Sequence, residues 1–461
     1  MNLNIHIVNK ARKSFWFVPF LFSLISLALA LITFYFDWWL SQHEYPLFPK
    51  VLFSNFDLSM TIISTIASSI MTMTTITFST IMVVLTTFLS QYSPRTLQNF
   101  INDRPTQRVL AIFVSGVVYC ITLLILLQDE SGQKLYISSA FAGIVAIICL
   151  FVFVYFVHHV SNWVKVSNLI HNITIKTNQK IDNSYLYRKN AINEQPSTFN
   201  EALFDETEPI LVYSEQSGYL QQINIEGMIN KAAKDEAVIR MVKTPGEYLL
   251  EGTPVMTAWT TNKEIDVEDY LEFLVLGPDK EPMEDIELGI RKLVEIALRA
   301  ISPAINDPNT AKNCIEEIGI ILSKLAKHKL PSSYLSDEEN NVRIILEQPT
   351  FGDFLYKSFY QLRHYGKQDI SIIAEILSSL RMIGENNSEE TKRMVWRFKD
   401  YILEGIDYDS LQNLDMQYIM RHLDELAAAC RQTNWDKDEV RNKYFPEQYK
   451  TGDSYHHQKE E

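Results

Sequence analysis

Ser59 to Ser90 reads SMTIISTIASSIMTMTTITFSTIMVVLTTFLS, a stretch with no charge, glycine or proline in which nearly half the residues are Ser or Thr. Crossing a hydrocarbon core takes about 20 residues of helix, so this stretch, uncharged from Leu58 to Ser93, reads as a membrane span. Thr61, Thr65, Ser68, Thr72, Thr75, Ser79, Met82, Thr86 and Ser90 step by four and three, which places them on one face of a helix. Hydroxyls can donate back to carbonyls of their own helix, so a bilayer tolerates them, yet a lipid-facing helix needs few. Two readings fit. Small hydroxylated residues let helices approach closely and bond across the contact. Alternatively, Thr61, Thr65, Ser68, Thr72, Thr75, Ser79 and Thr86 line a hydrated path, with symmetry-related copies from other subunits.

Three more uncharged segments lie around it, roughly residues 14–36, 109–128 and 135–157. The first is too long and aromatic for a cleavable signal peptide, with no small-residue cleavage site after it. Lys10, Arg12 and Lys13 precede span one, Arg95, Arg104 and Arg108 separate spans two and three, and Lys165, Lys176 and Lys180 follow span four. The other two connections carry Lys50 and Lys134 alone. Basic connections stay in the cytoplasm, so both termini are expected there. Trp16, Trp38, Trp39, Tyr92, Tyr136 and Trp163 sit near span ends, as interfacial anchors do. With no acid or base expected inside a span, proton relays, voltage sensors and charge-coupled carriers lack their usual residues, which favours a passive channel over a pump. Asp57 supplies a charge at one mouth. His158 and His159 read as interface residues rather than metal ligands. Between spans two and three, Ser93-Pro94 signals a short cytoplasmic helix, with Arg95, Arg104 and Arg108 toward lipid phosphates or the acidic half.

The net charge of −14 over 461 residues divides unevenly. The first 160 residues hold eight basic and six acidic side chains; the other 301 hold 34 basic and 50 acidic ones. That acidity argues against a nucleic-acid binder, and four scattered cysteines argue against a disulfide-stapled secreted domain. Residues 166–209 read as a juxtamembrane helix and linker. From 210 to 262, short strands at 210–213, 218–225, 237–242 and 253–260 alternate with turns at Ser217-Gly218, Pro245-Gly246 and Glu251-Gly252, with a short helix near 226–234. This module resembles the barrel-sandwich of biotinyl and lipoyl carriers, but no Lys occupies a tight hairpin, so assembly or docking is expected rather than cofactor chemistry. Residues 263–434 read as all-helical, and 435–461 as a disordered tail.

Ser302-Pro-Ala-Ile-Asn-Asp-Pro-Asn-Thr310 and Arg363-His-Tyr-Gly366 could each contact a ligand, although helix stopping and capping account for both. No phosphate loop, HExxH, nucleophile elbow or metal-ligand spacing occurs, so neither an enzyme, a cofactor nor a metal is expected.

Ala11-Arg-Lys-Ser-Phe-Trp-Phe-Val-Pro19, Ser64-Thr-Ile-Ala-Ser-Ser69, Gln91-Tyr-Ser-Pro-Arg-Thr-Leu-Gln-Asn-Phe100, Ala300-Ile-Ser-Pro-Ala-Ile-Asn-Asp-Pro308 and Arg363-His-Tyr-Gly366, in that order, resemble the bacterial predicted-membrane-protein family catalogued as domain of unknown function 2254. The resemblance implies a bacterial inner-membrane location, supports four spans and supplies no activity. The expected architecture is a four-span helical membrane domain (1–165) with a cytoplasmic α+β region, in which a small barrel-sandwich-like module precedes an all-α domain. The expected partners are the lipid bilayer, further copies of the chain and, for a scaffold or sensor, a cytoplasmic protein; nucleic acid is not among them.

Overall fold

The structure, a computed structural model, describes residues 17–41, 52–91, 104–127, 136–163, 165–187, 207–260, 265–278, 286–328, 330, 333–408, 411–433 and 435–444. It divides into two compact units, residues 1–169 and 170–461.

The first unit holds four helices long and apolar enough to cross a membrane: α1 (Phe17–Ser41), α2 (Phe56–Gln91), α3 (Arg104–Leu126) and α4 (Ser138–Trp163). α3 lies centrally and packs against the other three, while α2 also packs on α4. The helices close up where side chains are small. A Cβ on Gly116 of α3 would meet Cys149 Sγ at 3.2 Å and Ile70 Cδ1 at 3.3 Å, so α2 and α4 both press on this glycine. Outward faces of α1 and α4 carry Phe20, Ile25, Ile32, Ile144, Phe151 and Val154, as helices bathed in acyl chains do.

One expectation is corrected here. α1 does not stop at Phe36 but runs to Ser41, and Asp37 lies inside it, buried. The hydrophobic signal breaks at this acid and resumes at Trp38-Trp39, so charge counting ended the span one turn early. Tyr136, expected as an interfacial anchor, is buried within the protein, with its ring near Phe56 and its backbone paired with Ser54.

The helix α5 (Val166–Tyr187) begins before the division at residue 170, and its part in the second unit contributes Ile170, Ile173, Thr177 and Ile181 as a buried face. Strands β1 (Ile210–Tyr213), β2 (Gly218–Ile223), β3 (Ala237–Met241), β4 (Tyr248–Leu249) and β5 (Pro254–Thr260) follow, with α6 (Ile225–Lys234) between β2 and β3. Gly246 and Gly252 adopt φ of +96° and +76°, left-handed turns that a side chain would strain. A 3-10 helix (Val267–Phe273) leads into β6 (Leu274–Gly277). Helices α7 (Ile286–Ala300) and α8 (Pro308–Leu325) precede β7 (Tyr334–Ser336) and β8 (Val342–Ile345). Then come α9 (Phe351–Tyr365), α10 (Ile370–Glu385), α11 (Glu389–Leu403), α12 (Asn413–Ala429) and α13 (Lys437–Tyr444).

Residues 263–434 are therefore not all helical. β6 completes a three-stranded sheet of order β4-β2-β6, and β7 and β8 complete a five-stranded sheet of order β1-β5-β3-β8-β7. β8 joins β3 in parallel, Ile239 opposite Ile344, across a hundred residues of chain. The two sheets share one core, in which Leu220, Ile239, Val255, Met256, Tyr270 and Ile344 are buried together.

The helices around α10 close on small residues: a Cβ on Gly319 of α8 would stand 2.9 Å from that of Ser379, whose hydroxyl donates to the Ile315 carbonyl. The stretch expected to be a disordered tail is ordered at its start. Trp435 donates to Asp424 at 2.9 Å and stacks edge-on against Trp396, and the Tyr444 hydroxyl reaches Asp400 at 3.2 Å, so two aromatic residues pin the polar helix α13.

Candidate functional site

The face of α2 that packs into its own bundle comprises Ser59, Ile63, Ile70, Thr77, Ile81 and Val84, all buried. Adding two to Ile63, Ile70, Thr77 and Val84 gives Thr65, Thr72, Ser79 and Thr86. Two residues turn a helix by about 200°, so the hydroxyl stripe lies nearly opposite the packing face. Thr61, Thr65, Ser68, Thr72, Thr75, Ser79 and Thr86 are accordingly all exposed on the protomer. Packing against spans of the same chain does not account for them.

Six of these seven hydroxyls spend their hydrogen on a carbonyl one turn back in the same helix. Thr61 donates to the Asp57 carbonyl at 2.8 Å, Thr65 to Thr61 at 2.7 Å, Ser68 to Ser64 at 2.9 Å, Thr72 to Ser68 at 2.9 Å, Thr75 to Met71 at 3.0 Å and Thr86 to Met82 at 2.8 Å. What the stripe presents outward is therefore oxygen lone pairs. From Thr61 to Thr86 it runs for about 38 Å, enough to cross a hydrocarbon core of about 30 Å. Met71, Ile76, Phe78 and Val83 flank it, so it is a narrow polar line in an apolar surface. Asp57, exposed in the first turn of α2, stands one turn before Thr61 on the same line. Its charge also complements the positive end of the helix.

Arg104 and Arg108 lie one turn apart on an exposed face at the start of α3. Arg95 and the expected connecting helix lie outside the described residues. His158 meets Asn162 at 2.9 Å, a contact within α4, and among the described residues no group of His, Cys, Asp and Glu could hold a metal ion.

The sequence reading missed the end of the bundle where α1 finishes and α2 and α4 begin. There Ile137 N–H donates to Asp37 Oδ1 at 2.7 Å, placing a carboxylate at the N-terminus of α4. Ser54 Oγ lies 2.6 Å from both Ser59 Oγ and Ser139 Oγ, and the Tyr119 hydroxyl donates to Thr33 at 3.1 Å. Its signal in the sequence was a lone acid between Phe36 and Trp38 with serines after Ile137.

The polar stretches of the second unit serve its architecture. Asp307 caps α8 by accepting from Thr310 N–H at 3.2 Å and from the Thr310 hydroxyl at 2.6 Å. Arg363 lies over the Tyr401 ring, 4.1 Å from its centre, and Gly366 caps α9 through its N–H to the Leu362 carbonyl.

Residues 12–382, which take in all four membrane helices, match the predicted membrane proteins DUF2254. The chain belongs to this family. The DUF2254 match ends within α10. Uncharacterized proteins of Mycobacterium bovis and Mycobacterium tuberculosis are 26% identical over 341 residues, covering 71% of this chain and 64% of each relative. The chain thus spans less than two thirds of the curated relatives it matches. No solved structure matches it.

Proposed function

We propose that this DUF2254 protein is a homo-oligomeric passive channel of a bacterial inner membrane, in which copies of the α2 stripe face one another around a path for ions or small solutes. The observation that carries the reading is the outward position of the hydroxyl line on a protomer whose α1 and α4 turn bulky apolar side chains outward. Acyl chains offer hydroxyl oxygens nothing, whereas water or a partially dehydrated cation does. A surface of lone pairs favours cations over anions, and Asp57 at one end and the acidic second unit act in the same sense. The uneven basic residues support cytoplasmic termini and a cytoplasmic second unit, whose two-sheet region then serves assembly or gating as barrel-sandwich modules do. No catalytic step is assigned.

Flux from liposomes containing the purified protein tests the reading. Cation efflux should appear with the native chain and be blocked by Trp at Ser68, Thr72 or Thr75. Absence of flux in verified oligomers would reject it.

A second reading rests on the same hydrogen bonds. Hydroxyls already bonded to their own helix can pack in a dry contact between copies, leaving a non-conducting anchor whose second unit recruits a cytoplasmic protein. It expects oligomers without flux and a stable partner captured by the second unit.

A further inference from the structure

Ile81-Met-Val-Val-Leu85 is the longest run without a hydroxyl between Ser59 and Ser90; elsewhere in that stretch no more than two residues separate one Ser or Thr from the next. Five consecutive residues cover every direction around a helix, so this run girdles α2 with an apolar band about 7.5 Å tall. Ile81 and Val84 are buried in the bundle, and Met82 and Val83 are exposed. Ser68, Thr75 and Met82 recur at intervals of seven, so Met82 stands on the line of the stripe where a hydroxyl would continue it. From Thr61 to Ser79 the oxygens of the stripe follow one another every about 4.5–6 Å along the axis, whereas between Ser79 and Thr86 the gap is about 10 Å.

Resting on the channel reading above, we infer that Met82, with Val83 beside it, is the gate of the path, an apolar ring to which each copy contributes and which shuts the path by dewetting. An ion moving along the stripe exchanges water for hydroxyl oxygens about one turn at a time. At Met82 it meets methylenes, a weakly accepting thioether and methyl groups, with no oxygen to replace the water it loses. The girdle makes this barrier independent of how each α2 is rotated about its own axis, because every direction is apolar at that level. Methionine suits a gate that opens: its side chain is unbranched, with three rotatable bonds, and can swing aside without moving the helix. Met82 lies about 14 Å from the Gln91 end of α2 and Asp57 lies in the first turn at the other end, so the charge that gathers cations and the barrier that stops them are separate.

The test uses the full chain in liposomes loaded with potassium chloride, at equal incorporation and with the oligomer verified in each preparation. Met82→Ser joins the oxygens on either side of the gap and should raise potassium efflux about tenfold over the native chain, the change in rate made by about one hydrogen bond's worth of barrier. Met82→Thr, with the side chain that most of the line carries, should do the same, and it carries the test if the serine variant does not fold. Met71→Ser puts the same hydroxyl on the exposed surface beside the stripe and should leave efflux at the native level. Native efflux left unchanged by the Met82 variants, or raised as much by Met71→Ser, would overturn the gate and leave the channel standing. No efflux from any of these proteins would overturn both.

Discussion

Replacing Ile70 and Thr72 in turn separates the two faces of α2. Ile70 is 1% exposed and lies against Gly116, whereas Thr72 points away from the bundle with its hydroxyl bonded to Ser68. Large-to-small substitutions at packed sites cost about 2–5 kcal/mol; inside a bilayer the water-transfer part shrinks and the cavity part remains, so Ile70→Ala should cost about 2 kcal/mol. Thr72→Val keeps the shape and removes an outward hydroxyl whose hydrogen bond is internal to the helix. It should change protomer stability by less than about 0.5 kcal/mol, as surface substitutions do. Denaturant titration of the protein in mixed micelles, followed by tryptophan fluorescence at a concentration where it is monomeric, measures both. A Thr72→Val loss as large as that of Ile70→Ala would mean that the stripe packs within its own protomer, and the proposed path would lose its basis.

Other consequences can be measured on the same preparation. A Cβ at Gly289 of α7 would overlap Thr177 of α5, so Gly289→Ala should cost about 1–3 kcal/mol, and adding Thr177→Ala should recover part of it in a double-mutant cycle. Asp307→Ala removes the cap of α8 and should lower stability by about 1 kcal/mol, read from the shift in the denaturation midpoint. Burial pushes the His422 imidazole below its ordinary range; Glu425 opposes this, and Arg381, Arg421 and Lys312 add to it. A depressed folded value means that His422 stabilises the fold fully above the unfolded value of about 6.5, and that this contribution is lost as pH falls through the folded value. Melting temperatures recorded from pH 7.5 to 5 should fall less steeply for His422→Gln than for the native chain.

The membrane half was legible because hydropathy and charge report directly on a bilayer. The stripe, too, could be seen in the four-and-three spacing of Thr61 to Thr86, but its outward direction could not, since that depends on which face Gly116 and Cys149 receive. Asp37 was hidden by the rule that found the spans: a charge ends a window even where a neighbouring helix terminus compensates it. In the second unit, strands flanked by Gly218, Gly246 and Gly252 were visible in turn chemistry. β7 and β8 were not, because three and four residues around Asp337-Glu-Glu-Asn-Asn341 carry little local signal and gain their place by pairing with β3 from far along the chain. α13 escaped for a similar reason. Its composition is that of a solvated tail, and Trp435 and Tyr444 hold it through contacts with α11 and α12 that no local window contains.

The most direct measurement of the central claim is a cysteine scan of α2 in liposome-reconstituted protein. The four native cysteines are all buried, so introduced thiols can be read against a quiet background. Cysteines at Thr65, Ser68, Thr72, Thr75 and Ser79 should react with a charged, membrane-impermeant thiol reagent, and reaction should reduce cation flux, while cysteines at Met71, Phe78 and Val83 should react far more slowly. Equal, negligible reaction at all eight positions would contradict the account and leave the stripe as a dry contact between copies.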